Sequence, residues 1–151
     1  MVDNTKSDDD LGNLQKFSLV FLSLLLVVAL FFFRSGFKAT AMLDELAKNS
    51  LQPDIALSNG KPTVFEFYAD WCEACKEMAP DMVKAEALNS NEIDIVLLNV
   101  DNSRWIDLID KYDVNGIPKL TFFDYDGEFR GVSLGVRKYS ELNEIFQALI
   151  N

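Results

Sequence analysis

Residues 63–76 read Thr-Val-Phe-Glu-Phe-Tyr-Ala-Asp-Trp-Cys-Glu-Ala-Cys-Lys, and no other stretch narrows the fold as much. Its first half is β-branched and aromatic, the composition of a buried strand. Its second half opens a helix, with Met78, Met82 and Val83 following at helical spacing. Cys72 therefore falls at a strand-to-helix junction. Free backbone N–H groups and the positive end of the helix dipole favour a thiolate there, and a thiolate is the species that attacks a disulfide. Cys75 lies one turn into the helix and can close a disulfide back onto Cys72.

Other uses of a Cys-x-x-Cys pair fit less well. A zinc site needs four ligands, and the chain has no other Cys and no His. A c-type haem site needs His after the second Cys, where this chain has Lys76. An inert bridge closing so short a loop would constrain the unfolded chain little. A redox-active dithiol is the expectation, with no metal and no cofactor, since the dithiol is itself the redox group. The absence of His also removes His-based acid–base catalysis.

The N-terminal region has a different character. Residues 1–16 are polar, with Asp8, Asp9 and Asp10 in a row, and are expected to be disordered. Residues 17–33 are apolar except for Ser18 and Ser23, and Phe37 extends the run. As a helix, 17–33 spans about 25 Å, close to the roughly 30 Å of a bilayer's hydrocarbon core. Lys16 and Arg34 flank it and can snorkel. The run has no polar face, so residues 17–37 are predicted to be a transmembrane anchor. Ala39-Thr-Ala41 resembles a signal cleavage site, but Arg34 and Lys38 separate it from the apolar run, so the anchor is expected to be retained. Two basic residues lie on each side, and charge does not set the orientation.

The net charge is −10. Within residues 1–40, Lys6, Lys16, Arg34 and Lys38 balance Asp3, Asp8, Asp9 and Asp10, so the acidic excess belongs to 41–151. That argues against nucleic acid as a partner. Residues 38–52 read as a linker with a short helix from Ala41 to about Asn49. The remainder, 53–151, reads as one domain of order β-α-β-α-β-β-α. Its helix after Cys72 is expected to run to about Leu88, kinked at Pro80. A strand follows around Ile95. Asp101, Asn102 and Ser103 offer caps for a helix that buries Trp105, Leu108, Ile109 and Tyr112. A hairpin turns at Asp126-Gly127, and a last helix is expected to be capped by Ser140. Little in the sequence suggests an oligomer, and a monomer is expected.

Trp71-Cys72-x-x-Cys75-Lys76, Pro80, Gly116-Ile117-Pro118 and Gly135 together resemble the thioredoxin family over residues 53–151. The resemblance implies an α/β thioredoxin-like fold, a central mixed sheet flanked by helices, here behind an N-terminal transmembrane helix. It implies a cis peptide before Pro118 and an Ile117 backbone that pairs with an extended substrate, with Trp71 packing beside the dithiol. It implies that Glu66, at a position the family usually gives to a buried Asp, moves protons to and from Cys75. Burial among Val64, Phe65 and Phe67 should raise the Glu66 pKa; the alternative is a strand residue that reaches solvent. The family's nearby Lys is replaced by Leu97. The dipeptide Glu73-Ala74 departs from the Gly-Pro of general thioredoxins. A negative Glu73 beside Cys72 disfavours the thiolate and points toward a reductase.

A finer resemblance rests on Glu-Phe-Tyr-Ala-Asp-Trp-Cys-Glu-x-Cys, on residues 99–105 and on the anchor. It is to membrane-anchored thioredoxin-like proteins of the TxlA type from cyanobacteria and their chloroplast thylakoid relative. This implies a thiol–disulfide reductase on the lumenal or periplasmic side of a thylakoid or plasma membrane. Cys72 and Cys75 would carry electrons from a membrane donor of the CcdA kind to protein disulfides, with a role in cytochrome maturation. Two other readings stay open on the same residues: a thiol oxidase or isomerase, and a binding or assembly module whose thiols are dispensable.

Overall fold

The computed structural model describes residues 6–151, with side chains described for residues 16–31 and 38–151. Two compact units divide the chain, Met1–Phe37 and Lys38–Asn151. Helix α1 runs Lys6–Asn49 and contributes to both. In the first unit every described side chain, residues 16 to 31, is exposed, including Phe17, Leu19, Phe21, Leu24 and Phe31. Among the described residues no helix is long and apolar enough to cross a membrane. Residues 32–37 of the expected anchor lie outside the described side chains, and residues 1–5 of the expected disordered segment lie outside the described chain.

Residues 6–16 are helical backbone rather than irregular. Extending an existing helix costs far less than nucleating one. The acidic run also falls near the helix N-terminus, where the dipole favours negative charge.

The second unit is built on a four-stranded sheet. After α2 (Pro53–Ala56) come β1 (Thr63–Tyr68), α3 (Glu73–Asn89), β2 (Asp94–Asn99), a 3₁₀ turn (Ser103–Trp105), α4 (Ile106–Lys111), β3 (Lys119–Phe123), β4 (Phe129–Leu134) and α5 (Tyr139–Ile150). Strand order is β2-β1-β3-β4, with β1 parallel to β2 and antiparallel to β3, and β3 antiparallel to β4. This is the mixed sheet with flanking helices that the resemblance implies.

All six residues of β1 are buried, because helices cover both faces of the central strand. Side chains alternate between the faces. Val64 and Tyr68 join one core with Leu43, Leu46, Cys72, Cys75, Met78, Met82, Leu142 and Phe146. Phe65 and Phe67 join the other with Ala56, Val96, Leu98 and Phe123, closed over by Trp105, Leu108, Ile109 and Tyr112. The apolar face expected for residues 105–112 thus covers the second side of the sheet.

The boundary expected at residue 53 moves outward. Leu43 and Leu46 of α1 are core residues, and Ser50 Oγ accepts the Leu97 N–H of the outer strand β2 at 3.1 Å. Residues 38–52 are therefore part of the compact unit and not a tether. Helix α3 continues unbroken through Pro80, which is exposed. The first residue of α5 is Tyr139, one position before the expected cap Ser140. Glu141 reaches back to accept the Lys138 N–H at 2.9 Å, which satisfies one end donor and fixes the start there. The expected hairpin is present, with Gly127 at a φ of 72° in its turn. A side chain at Gly127 would press a Cβ to 2.4 Å from the Leu57 carbonyl oxygen.

Candidate active site

The functional end of the sheet is the C-terminal end of β1. The chain leaves Tyr68, turns through residues 69–71, and enters α3 at Cys72, its N-cap. The Cys72 N–H donates to the Ala69 carbonyl at 3.1 Å, and the Cys72 carbonyl accepts from Lys76 N–H at 3.1 Å. Cys72 Sγ accepts the Cys75 N–H at 3.1 Å, the place a Ser or Asp oxygen takes in an ordinary cap. Cys72 and Cys75 are joined in a disulfide with their Cα atoms 5.3 Å apart. Cys75 is fully buried and Cys72 is 5% exposed. When the bond is reduced, the sulfur at the helix terminus has a backbone donor aimed at it, which favours its thiolate.

Glu66 stands on the same face of β1 as Val64 and Tyr68, the face whose core contains both cysteines. Its strand neighbours in register are Leu97 and Leu120. The side chain is fully buried, and neither carboxylate oxygen has a hydrogen-bond partner among the described residues. Burial pushes the Glu66 pKa from 4.5 up to about 8, because desolvation penalises the charged form and no cation offsets it. At neutral pH this is mostly a neutral acid. The alternative of a solvent-reaching strand residue does not hold.

Trp71 is 64% exposed. Its Nε1 donates to Asp101 Oδ2 at 2.8 Å. Asn99 ties the neighbouring loops together: its Nδ2 donates to Asp70 Oδ1 at 3.3 Å, and its Oδ1 accepts the Asp101 N–H at 2.9 Å. Asp101, read from sequence as a helix cap, is instead the anchor of the Trp71 indole, and Asn102 does the capping by accepting the Arg104 N–H. An indole has one polar handle, its N–H, and orienting the ring calls for an acceptor; the acidic residue just beyond β2 was the available signal for it.

The Ile117–Pro118 peptide bond is cis, as the resemblance implies. Register places Lys119 opposite Phe67, so Pro118 is level with Tyr68, at the end of β1 that leads into Cys72. Pro118 is buried, and its carbonyl accepts the Gly135 N–H at 2.9 Å. Ile117 is partly buried and packs against both cores, including the one that holds the cysteines. The fold thus brings Trp71, Cys72, Cys75, Ile117 and Pro118 to the end of β1 that leads into α3, with Glu66 inside the same strand on the face whose core holds the cysteines. One expectation changes. Glu73 is exposed, but its Oε1 is 2.9 Å from Lys76 Nζ, so its charge beside Cys72 is not unopposed.

A helix-capping, nearly buried sulfur bridged to a fully buried one, with a neutral acid on the same core face, can exchange disulfides and move a proton. Comparison with known proteins agrees. A family profile described as Thioredoxin matches residues 41–148. The thioredoxin-like protein HCF164, chloroplastic, of rice is 48% identical over 93 residues, 62% of this chain and 36% of that one. The thiol:disulfide interchange protein TxlA of Synechococcus elongatus is 35% identical over 112 residues, 74% of this chain and 59% of that one. A solved thioredoxin-like protein from Clostridium perfringens superposes with a TM-score of 0.55 at 28% identity, over 60% of this chain and 71% of that one. The chain spans about a third of the plant relative's length and about three-fifths of the cyanobacterial one's.

Proposed function

The chain belongs to the thioredoxin family, and on that premise we propose that it is a membrane-anchored thiol–disulfide reductase acting on protein disulfides outside the cytosol. The observation that carries the reading is the Cys72–Cys75 bridge at the N-terminus of α3, with the fully buried Glu66 on the same core face.

In the reduced enzyme the Cys72 thiolate attacks one sulfur of the partner's disulfide. A mixed disulfide forms, and the partner's other sulfur leaves as a thiolate. Cys75 then gives up its proton and attacks Cys72 Sγ. This closes the bridge and releases the partner as a dithiol, two electrons having passed to it. Glu66, whose pKa of about 8 leaves a minor carboxylate fraction at pH 7, takes the Cys75 proton in that ionised form and returns it as the neutral acid. Ile117 and Pro118 form the wall against which the partner's backbone lies, and Trp71 flanks it.

The anchor in this proposal is the apolar run of residues 17–37. Support comes from its composition and from the exposure of every described side chain between residues 16 and 31. The likeness to a chloroplast protein, HCF164, and to the cyanobacterial TxlA fits a thylakoid or plasma membrane, and in this proposal the dithiol lies on the lumenal or periplasmic side. In this reading a CcdA-type membrane protein re-reduces the bridge, and apocytochromes awaiting haem are among the targets.

Equilibrating the full chain, in detergent micelles, with defined thiol–disulfide buffers tests the direction of electron flow. The expected potential is on the order of −250 mV or lower, in the range of thioredoxin. A value near −120 mV, that of a strong oxidant, would replace the reductase with an oxidase.

A further inference from the structure

The sheet has two outer strands, and they are treated differently. On β2 the outward Leu97 N–H is taken by Ser50 Oγ. Among the described residues, strand β4 has no neighbour beyond it. Natural sheets blunt such edges with charge, proline or bulges; β4 has one charge, Arg130, and a register shift against Phe122 and Phe123, both at its start, and from Gly131 to Val136 the chain carries neither charge nor proline. Val132 and Leu134 are each more than half exposed.

Between β4 and α5 lies a groove of about 410 Å³, walled by Phe122, Val132, Ile145 and Leu149. Three polar side chains, Arg130, Ser133 and Arg137, also line it. Ser133 is 8% exposed, and its Oγ has no hydrogen-bond partner among the described residues, a costly state for a buried hydroxyl. Arg137 donates to its own neighbour's carbonyl at Val136 and has no carboxylate partner among the described residues. Arg130, by contrast, is already paired with Asp124. In a unit that carries nearly all of the chain's acidic excess, this groove is mostly apolar with an unpaired cation at its rim.

Strand β4 itself ends at the dithiol end of the sheet. Leu134 is opposite Lys119, and the next residue, Gly135, bonds Pro118. A chain lying along the outer edge of β4 would therefore finish at the dithiol end of the sheet, two strands over from β1.

We propose that the edge of β4 and the groove against α5 form a second docking strip for the disulfide-bearing partner. It takes an extended segment that adds to the β4 edge, places an apolar side chain in the groove and offers a carboxylate to Arg137. Backbone pairing supplies affinity, and the pocket and cation supply specificity, as in other strand-addition interfaces. Ser133 Oγ gains a partner from the same segment. This inference rests on the protein-disulfide reading above, which supplies the partner.

The probe is a synthetic peptide with an internal disulfide, a flexible linker, and a tail of about six residues that begins with Glu and then alternates Val and Thr. The full chain in micelles is assayed on this peptide and on the same peptide without its tail. The tail should lower KM by about tenfold while kcat stays the same. Arg137→Glu should abolish most of that advantage, and a tail beginning with Lys should restore it on that variant alone. Ser133→Ala should lose about threefold of it. Equal KM for tailed and tail-less peptides on the wild type overturns the strip, and so does a tail advantage that Arg137→Glu leaves intact. A cysteine-free, fluorescently labelled tail is measured by anisotropy in parallel. Its binding without any peptide reduction sustains the strip and removes the reductase reading; reduction without tail dependence does the reverse.

Discussion

Lys76 folds back over one turn of α3 to place its Nζ 2.9 Å from Glu73 Oε1, the carboxylate next in sequence to Cys72. The sequence alone presents Glu73 as an isolated negative charge that disfavours the Cys72 thiolate. In the fold, Lys76 is mostly buried and Glu73 is exposed, so the pair offsets part of that effect.

The first expectation follows from that pair. Glu73→Gln removes the repulsion and should shift the reduction potential upward. Lys76→Gln leaves the repulsion uncompensated and should shift it downward. An exposed ion pair is worth well under about 1 kcal/mol, so each shift should be on the order of 10 mV. Half-molar salt should shrink both. Equilibration against glutathione buffers reads the potentials, and shifts of the same sign in the two variants would refute the offsetting role.

Asp101 holds the Trp71 indole through a 2.8 Å hydrogen bond. Asp101→Ala should free the ring, which is already largely exposed, and slow reduction of a protein disulfide several-fold. The melting temperature should fall by only a few degrees, since an exposed hydrogen bond contributes about 1 kcal/mol at most. Asp101→Asn retains an acceptor and should restore most of the rate. Steady-state kinetics with a protein disulfide, together with tryptophan emission, make the measurement. Equal rates in the Ala variant and wild type would show that the indole needs no anchor.

Glu66 gives the molecule a pH-dependent stability with a definite sign. Its pKa is raised by burial from 4.5 to about 8 in the folded state. The unfolded chain therefore ionises first as pH rises, and the folded state binds the extra proton. The contribution of this residue is most favourable below about pH 4.5 and is lost progressively as pH rises toward 8. The total is on the order of 3–5 kcal/mol, since each tenfold difference in proton affinity between the folded and unfolded chain is worth about 1.4 kcal/mol. Glu66→Gln should remove that slope and match or exceed wild-type stability at pH 8, while slowing turnover near neutrality. Urea unfolding of the oxidised protein at several pH values reads the slope. A wild-type slope unchanged by the substitution would mean that the carboxyl is not the group responsible.

Much of this was legible in the sequence, for reasons that are local. The strand and helix around Cys72 are specified by residues within a few positions of each other, as are the 105–112 face and the hairpin at Gly127. What was not legible depends on contacts distant in the chain. Asp101 reads as a helix cap until the fold sets it against Trp71, thirty positions earlier. Ser50 and Leu46 read as linker until Leu97 and the core are placed beside them. Ser140 lost the cap to a local competitor, the Glu141 carboxylate on the Lys138 N–H. Glu66 combines both kinds of information. Its surrounding apolar residues announce burial, but only the register with Leu97 and Leu120 shows that no partner for its carboxylate is supplied from either neighbouring strand.

The last expectation assigns the two sulfurs their order. Exchange passes through a mixed disulfide, and the sulfur that initiates it must be reached by a partner. Cys72 caps α3 at the protein surface and retains some exposure, whereas Cys75 has none and lies within the helix. Cys72 should therefore initiate and Cys75 should release. Cys75→Ser blocks release without blocking attack, so this variant, expressed as the full chain in cells, should accumulate covalent adducts that a reductant dissolves. Cys72→Ser should accumulate far fewer, by about an order of magnitude, because its remaining sulfur is shielded. Non-reducing electrophoresis followed by peptide mass spectrometry identifies the adducts, which should include secreted or lumenal cysteine proteins. More adducts with Cys72→Ser than with Cys75→Ser would reverse the two roles. No adducts with either, alongside normal growth of a strain carrying both substitutions, would leave a binding or assembly module in place of the enzyme.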